Sequence, residues 1–157
     1  MHKAERKFME IAIKEAIKTR KKGDYAIGAV IVKSGKVIVK VGNRTKLDSD
    51  PTQHAEIVAI KKASKILKTR HLEGCVLYST HEPCPMCTAA TIWAKMDGIV
   101  FGSNISDMHN YRIKNANDKW LWRTINISAK KIIEKSDTKP FVVENFMRKK
   151  CRNLFHS

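Results

Sequence analysis

Four side chains in this sequence have the types and spacing to do chemistry on a metal: His54 and Glu56 of His54-Ala55-Glu56, and Cys84 and Cys87 of Pro83-Cys84-Pro85-Met86-Cys87. One imidazole and two thiolates suit tetrahedral zinc, and three protein ligands leave the fourth position open to water. An open position predicts catalysis. Cys84 and Cys87 are three apart, so on the first turn of a helix they share a side and can share one ion. The helix N-terminus there favours the thiolate form of both. His54 and Glu56 differ by about 200° around a helix, so they serve one site only at a helix entry, His54 on the metal and Glu56 addressing its water. A His-Glu-x-x-His protease helix is excluded, since the position four after His54 is Val58. The competing reading is a closed structural site completed by His71, His81 or Cys75, which leaves Glu56 without a task.

These groups need a scaffold, and hydrophobic periodicity supplies one. Phe8, Ile11, Ala12 and Ala16 recur at helical spacing and predict a helix over 4–22. The runs Ala29-Val30-Ile31-Val32 and Val37-Ile38-Val39, joined by Lys33-Ser34-Gly35-Lys36, predict a hairpin. Asp48-Ser49-Asp50-Pro51-Thr52 punctuates the entry of a second helix, which carries Ala55, Ala59, Ala63 and Leu67 and ends near Lys68. Cys75-Val76-Leu77-Tyr78 predicts a strand, Pro83-Cys84-Pro85 opens a third helix holding Ala89, Ile92 and Trp93, and Ile99-Val100-Phe101 predicts a fourth strand. Residues 104–122 lack a firm period and predict a short helix and a long loop over the site. Thr124-Ile125-Asn126-Ile127 predicts a strand, Ser128 an N-cap, and Phe141-Val142-Val143 a last extended run. A final helix carries Phe146, Met147, Cys151, Leu154 and Phe155. Strands alternating with helices predict an α/β fold in which each crossover helix buries its apolar stripe on the sheet.

Length and composition set the outer limits. The 157 residues fit one domain over 1–157, and a hydrophobic fraction of 43% is that of a folded chain with a real core. No apolar run is long enough to span a membrane, and the start, Met1-His2-Lys3-Ala4, lacks a secretory signal, so a cytoplasmic protein is expected. Lys and Arg total 31 against 15 Asp and Glu, a formal charge of +16. Such a surplus favours encounter with RNA or DNA, although lysines spread along helix surfaces for solubility would produce it too. In a reducing compartment Cys75 and Cys151 read as small buried hydrophobes, which leaves Cys84 and Cys87 as the functional pair.

His-x-Glu followed by Pro-Cys-x-x-Cys matches the signature of the zinc deaminases. On these motifs the chain resembles the cytidine deaminase-like superfamily, in its small branch of guanine deaminases, fungal-type cytosine deaminases and bacterial tRNA adenosine deaminases. The resemblance is good over residues 5–103, where Gly28-Ala29-Val30-Ile31-Val32, Gly42-Asn43-Arg44, Asp50-Pro51-Thr52 and Leu77-Tyr78-Ser79-Thr80 also match. It implies a three-layer α-β-α fold on a central mixed five-stranded sheet, one Zn2+ per chain, a homodimer, and substrate contacts at Asn43 and Ala55. Pro85 and Ile92-Trp93-Ala94-Lys95 look like guanine deaminases. The segment after Gly102 lacks the Asp-x-Lys loop of the tRNA enzymes, and the last helix stops at Phe155 without their basic extension. The expected reaction is therefore hydrolytic deamination of a free nucleobase or nucleoside of guanine or cytosine type. The alternatives are a tRNA-specific adenosine deaminase and a noncatalytic zinc-binding subunit. Trp120, Trp122, Phe155 and His156 are candidates for a lid that stacks on the base. Two departures from the family pattern are Ala26, where a proline is usual, and His81, a variable position beside the metal loop.

Overall fold

The computed structural model describes residues 3–156. Met1 and His2, part of the start read above for a signal, and Ser157 lie outside the described residues. Helix α1 (Arg6–Lys21) buries Phe8, Met9, Ala12 and Ala16 and closes on Lys18, Arg20 and Lys21, cations that suit the negative end of its dipole. Strands β1 (Gly28–Lys33) and β2 (Lys36–Gly42) form the expected hairpin. Its turn residues Ser34 and Gly35 both have positive φ, 50° and 73°, the twist that a two-residue hairpin turn requires. Helix α2 (Ala55–Leu67), strand β3 (Cys75–His81), helix α3 (Pro85–Trp93) and strand β4 (Gly98–Ser103) follow in the expected order. The chain continues through α4 (Ile105–Asn115), α5 (Ala129–Glu134), β5 (Phe141–Val143) and α6 (Arg148–Arg152), which runs into a 3-10 turn at Asn153–His156.

The strands form one sheet in the order β2-β1-β3-β4-β5. β1 lies antiparallel to β2 and to β3, while β3, β4 and β5 are parallel, so the sheet is mixed and five-stranded, as the resemblance implies. On one face α1 and α6 place Phe8, Met9, Ala12 and Cys151 against Val30, Tyr78 and Val100. On the other, Val58, Ala59 and Ala63 of α2 cover Ala29, Ile31 and Leu77, and Ile133 of α5 covers Ile99 and Phe101. That is the three-layer α-β-α architecture. At Gly102 the approach is so close that an added Cβ would collide with Cys151 Sγ, so this glycine is the notch that seats α6 on β4.

Three expectations need correction. Thr124-Ile125-Asn126-Ile127 is not a strand: the segment pairs with no neighbour in the sheet, Ile125 is 59% exposed, and the run crosses open space. It is an exposed loop whose first two residues, Thr124 and Ile125, reach the rim of a cavity. The stretch after Gly102 holds a longer helix than expected, α4, started by a reciprocal cap between Asn104 and Asp107. Phe146 and Met147 precede α6 rather than belonging to it.

The register fixes where a site can form. Gly28 pairs with Gly42, Ala29 with Ser79, and His81 with Ser103, so the start of β1 and the ends of β2, β3 and β4 share one edge. The loops after β2, β3 and β4 gather there, outside the carboxyl ends of the parallel strands, where α/β sheets bind ligands. Among the described residues no helix is long and apolar enough to cross a membrane.

Candidate active site

His54 is the N-cap of α2 and Cys84 the N-cap of α3, and neither side chain caps its own helix. Both are thereby left to face each other across the gap. Cys84 Sγ lies 3.6 Å and Cys87 Sγ 3.5 Å from His54 Nδ1. A tetrahedral zinc with usual bond lengths places sulfur and nitrogen ligands about 3.6 Å apart, so the donor set fits zinc without rearrangement. Among the described residues these three are the group of donors able to hold one ion. The fourth ligands of a closed site do not join it: Cys75 begins β3 at the far edge of the sheet, His71 precedes it, and the His81 ring is engaged with Ser103.

Hydrogen bonding and burial set the charges. Cys84 is drawn down to about 4, first by its hydrogen bond with Cys87 and then by His54. The Cys87 thiol moves up in turn, beside that thiolate and buried. His54 rises because Cys84 accepts from it. Zinc takes these donors as two thiolates and a neutral imidazole, so binding would release protons from the site.

Glu56 is 4% exposed on the second position of α2. Its Oε1 accepts a hydrogen bond from Ser79 Oγ at 2.7 Å, and its Oε2 lies 3.6 Å from Cys87 Sγ. Burial raises its carboxyl above the usual range, against the pull of His54 and Ser79. A carboxyl raised in this way holds a proton more readily than an ordinary one, which suits it to take and return one during a reaction.

Asn43 follows β2 and is 3% exposed. Its Nδ2 donates to Asp24 Oδ1 at 2.8 Å and to Thr45 Oγ1 at 2.9 Å, which leaves Oδ1 as the free end of the amide. Asp24, wholly buried, also accepts from the backbone N–H groups of Tyr25, Lys46 and Leu47. These bonds hold the loop after β2 in place.

A cavity of about 550 Å³ opens above these groups; His54, Glu56, Cys84 and Asn43 line it, with Tyr25, His81, Met108, Trp122 and Arg123 in its walls. The remaining sequence candidates fall elsewhere. Ala55 is wholly buried in the core beneath α2. Of the four lid residues only Trp122 lines this cavity. Trp120 packs edge-on against Tyr25, and Phe155 sits behind Trp122 at 5.0 Å. Phe155 and His156 line a separate cleft of about 270 Å³ beside α4. Sequence reasoning missed Asp24 and Glu82, neither of which belongs to a motif. It quoted Ser79 only within a matching segment. Arg20 and Lys46 stack over the Trp120 ring at 3.6 and 4.3 Å from its centre, with Lys119 at 5.5 Å, a ring of cations next to Tyr25 at the cavity wall.

The comparisons agree with this chemistry. The family described as the cytidine and deoxycytidylate deaminase zinc-binding region matches residues 2–103. The chain is 43% identical over 96 residues to a tRNA-specific adenosine deaminase of Aquifex aeolicus (61% of this chain, 64% of that protein). It is 44% identical over 80 residues to a guanine deaminase of Bacillus subtilis, 51% of each. It is 32% identical over 157 residues, its whole length, to a tRNA-specific adenosine deaminase of Buchnera aphidicola subsp. Baizongia pistaciae, spanning 89% of that protein. A solved structure from a study of A-to-I editing by tRNA:A34 deaminases at the wobble position of transfer RNA superposes with a TM-score of 0.79 at 30% identity, covering 96% of this chain and 99% of the other.

Proposed function

Because the chain belongs to the cytidine and deoxycytidylate deaminase zinc-binding family, we propose that it hydrolytically removes an exocyclic amino group from a nucleobase, and that the base is an adenine carried in RNA. The observation that carries the reaction is the buried Glu56 carboxyl, held by Ser79 beside the His54, Cys84 and Cys87 donors at an open cavity. Zinc held by those donors supplies a Lewis acid that readies water for attack near neutral pH. Glu56 takes a proton from the attacking water and passes it to the ring nitrogen beside the reacting carbon. It then takes the second proton, from the hydroxyl now added to the ring carbon, and delivers it to the amino group; the C–N bond breaks, ammonia leaves, and the added oxygen stays on the ring as the carbonyl. Asn43 Oδ1 orients the base, and Trp122, held edge-on against Tyr25 at 4.9 Å, supplies an aromatic wall beside it.

For the substrate, the likeness to tRNA adenosine deaminases along the whole chain favours RNA over the free base suggested by Pro85 and the segment after Gly102. Lys46, Lys119 and Arg20 around Trp120, with Arg123 in the wall, supply phosphate partners where a strand would enter. A second reading, guanine as substrate, is favoured by the 44% identity to the guanine deaminase. A homodimer belongs to the same proposal: Trp93 of α3 is 82% exposed and Ile66 of α2 58% exposed, apolar surface suited to a second copy.

Ammonia release from an adenosine-containing anticodon stem-loop, guanine, cytosine and cytidine, measured in parallel, tests the reading. RNA is expected to be the preferred substrate; turnover of guanine alone would overturn that choice. Glu56→Gln should keep zinc and lose about 10²- to 10⁴-fold in rate. Cys84→Ala should lose the metal itself, as read by plasma emission.

A further inference from the structure

Building on the reaction proposed above, we infer that His81 is a specificity residue whose Nε2 accepts a hydrogen bond from an N–H or O–H donor of the bound nucleoside. His81 ends β3, is 8% exposed and lines the cavity. Its Nδ1 lies 2.9 Å from Ser103 Oγ. With the Ser103 proton directed to the Thr80 carbonyl at 3.1 Å, the hydroxyl oxygen accepts from the imidazole, an arrangement that puts the ring proton on Nδ1. A neutral imidazole then carries a bare lone pair on Nε2. Burial keeps the ring neutral, holding it down to about 4 against the pull of Asp107, whose carboxylate is itself bound by Arg148.

No bond of Nε2 to any described residue exists, yet among the described residues every fully buried side-chain nitrogen and oxygen has a partner. Nε2 is thus the atom through which His81 meets the cavity. Phe155 stands edge-on to the ring at 5.9 Å and, with Ser103, fixes its plane. A rigid acceptor without donor capacity selects by chemistry: a donor satisfies it, whereas another lone pair leaves a desolvated nitrogen unpaired. In an adenosine within RNA two groups donate, the exocyclic amino group and the ribose 2′-hydroxyl.

The test is kcat/KM on a stem-loop RNA carrying either adenosine or 2′-deoxyadenosine at the target, for the wild type, His81→Leu and Ser103→Ala, each checked for zinc content. His81→Leu should lose about 10- to 100-fold on the ribose substrate. Ser103→Ala, which frees the ring to put its proton on Nε2, should lose less in the same direction. A loss confined to the ribose substrate assigns the donor as the 2′-hydroxyl; an equal loss on both assigns it as the amino group. Unchanged kcat/KM in both variants overturns the role. Should the variants fail to fold, a two-bond ¹H–¹⁵N spectrum of the labelled wild type decides: a proton on Nδ1 at neutral pH supports the assignment, and one on Nε2 overturns it. Wild-type protein inert on both RNAs counts against the adenosine reading alone, and the same spectrum then judges His81.

Discussion

Asp24 offers only lone pairs to the donors around it, and that one-sidedness fixes which way Asn43 points. Asp24→Asn would set an amide N–H₂ against those donors. It should keep zinc yet lower kcat/KM about 10- to 100-fold, as steady-state kinetics would show. His81 gives a prediction for stability. Its folded value, about 4, lies below the ordinary 6.5, so between those values the unfolded chain binds a proton that the folded one does not. Stability attributable to this ring is full above pH 6.5 and falls as pH drops towards 4, by about 3 kcal/mol at most. Urea unfolding of the wild type and His81→Leu at pH 7 and 5 should show the variant losing less. The zinc donors were legible because their spacing is local and chemically unusual. Asp24, His81 and Glu82 were not, because their partners lie 19 to 47 residues away and only the strand register brings them together.

Glu82 shows the same at the scale of elements. Its Oε1 accepts from the Ile105 N–H at 3.2 Å and its Oε2 from the Ala129 N–H at 2.9 Å, so one carboxylate caps the starts of α4 and α5. Those two starts bracket the loop that brings Trp122, Arg123, Thr124 and Ile125 to the cavity. Glu82→Ala leaves two N–H groups without their acceptor, about 1–3 kcal/mol each. The melting temperature should fall by about 5–15 °C. Hydrogen exchange should quicken over 116–131 ahead of the rest; uniform exchange would refute the bracket. Helices and paired strands were readable because burying a stripe or a face imposes a period on the sequence. The Thr124–Ile127 run has the β-branched alternation of a strand in sequence, yet both its isoleucines are exposed and no strand pairs with it, so periodicity alone misassigns it.

Across the whole molecule the +16 charge becomes measurable. With Arg20, Lys46 and Lys119 each meeting a phosphate of a looped strand, log affinity should fall against log salt with a slope of about −2. Lys46→Ala should reduce that slope by about 0.7, which fluorescence anisotropy at several salt concentrations would read. The metal donors, Glu56 and Asn43 all lie within residues 2–103, which the family matches, while Ile105, Met108 and Trp122 to Ile125 shape the wall opposite. The end of β4 is therefore a seam between the part that carries the reacting groups with Asn43 and His81 and the part that completes the wall above them. A chimera joined there should reshape that wall while leaving those groups in place. Gly102 sets its terms of entry: the notch admits a grafted tail whose side chain at position 151 is no bulkier than cysteine.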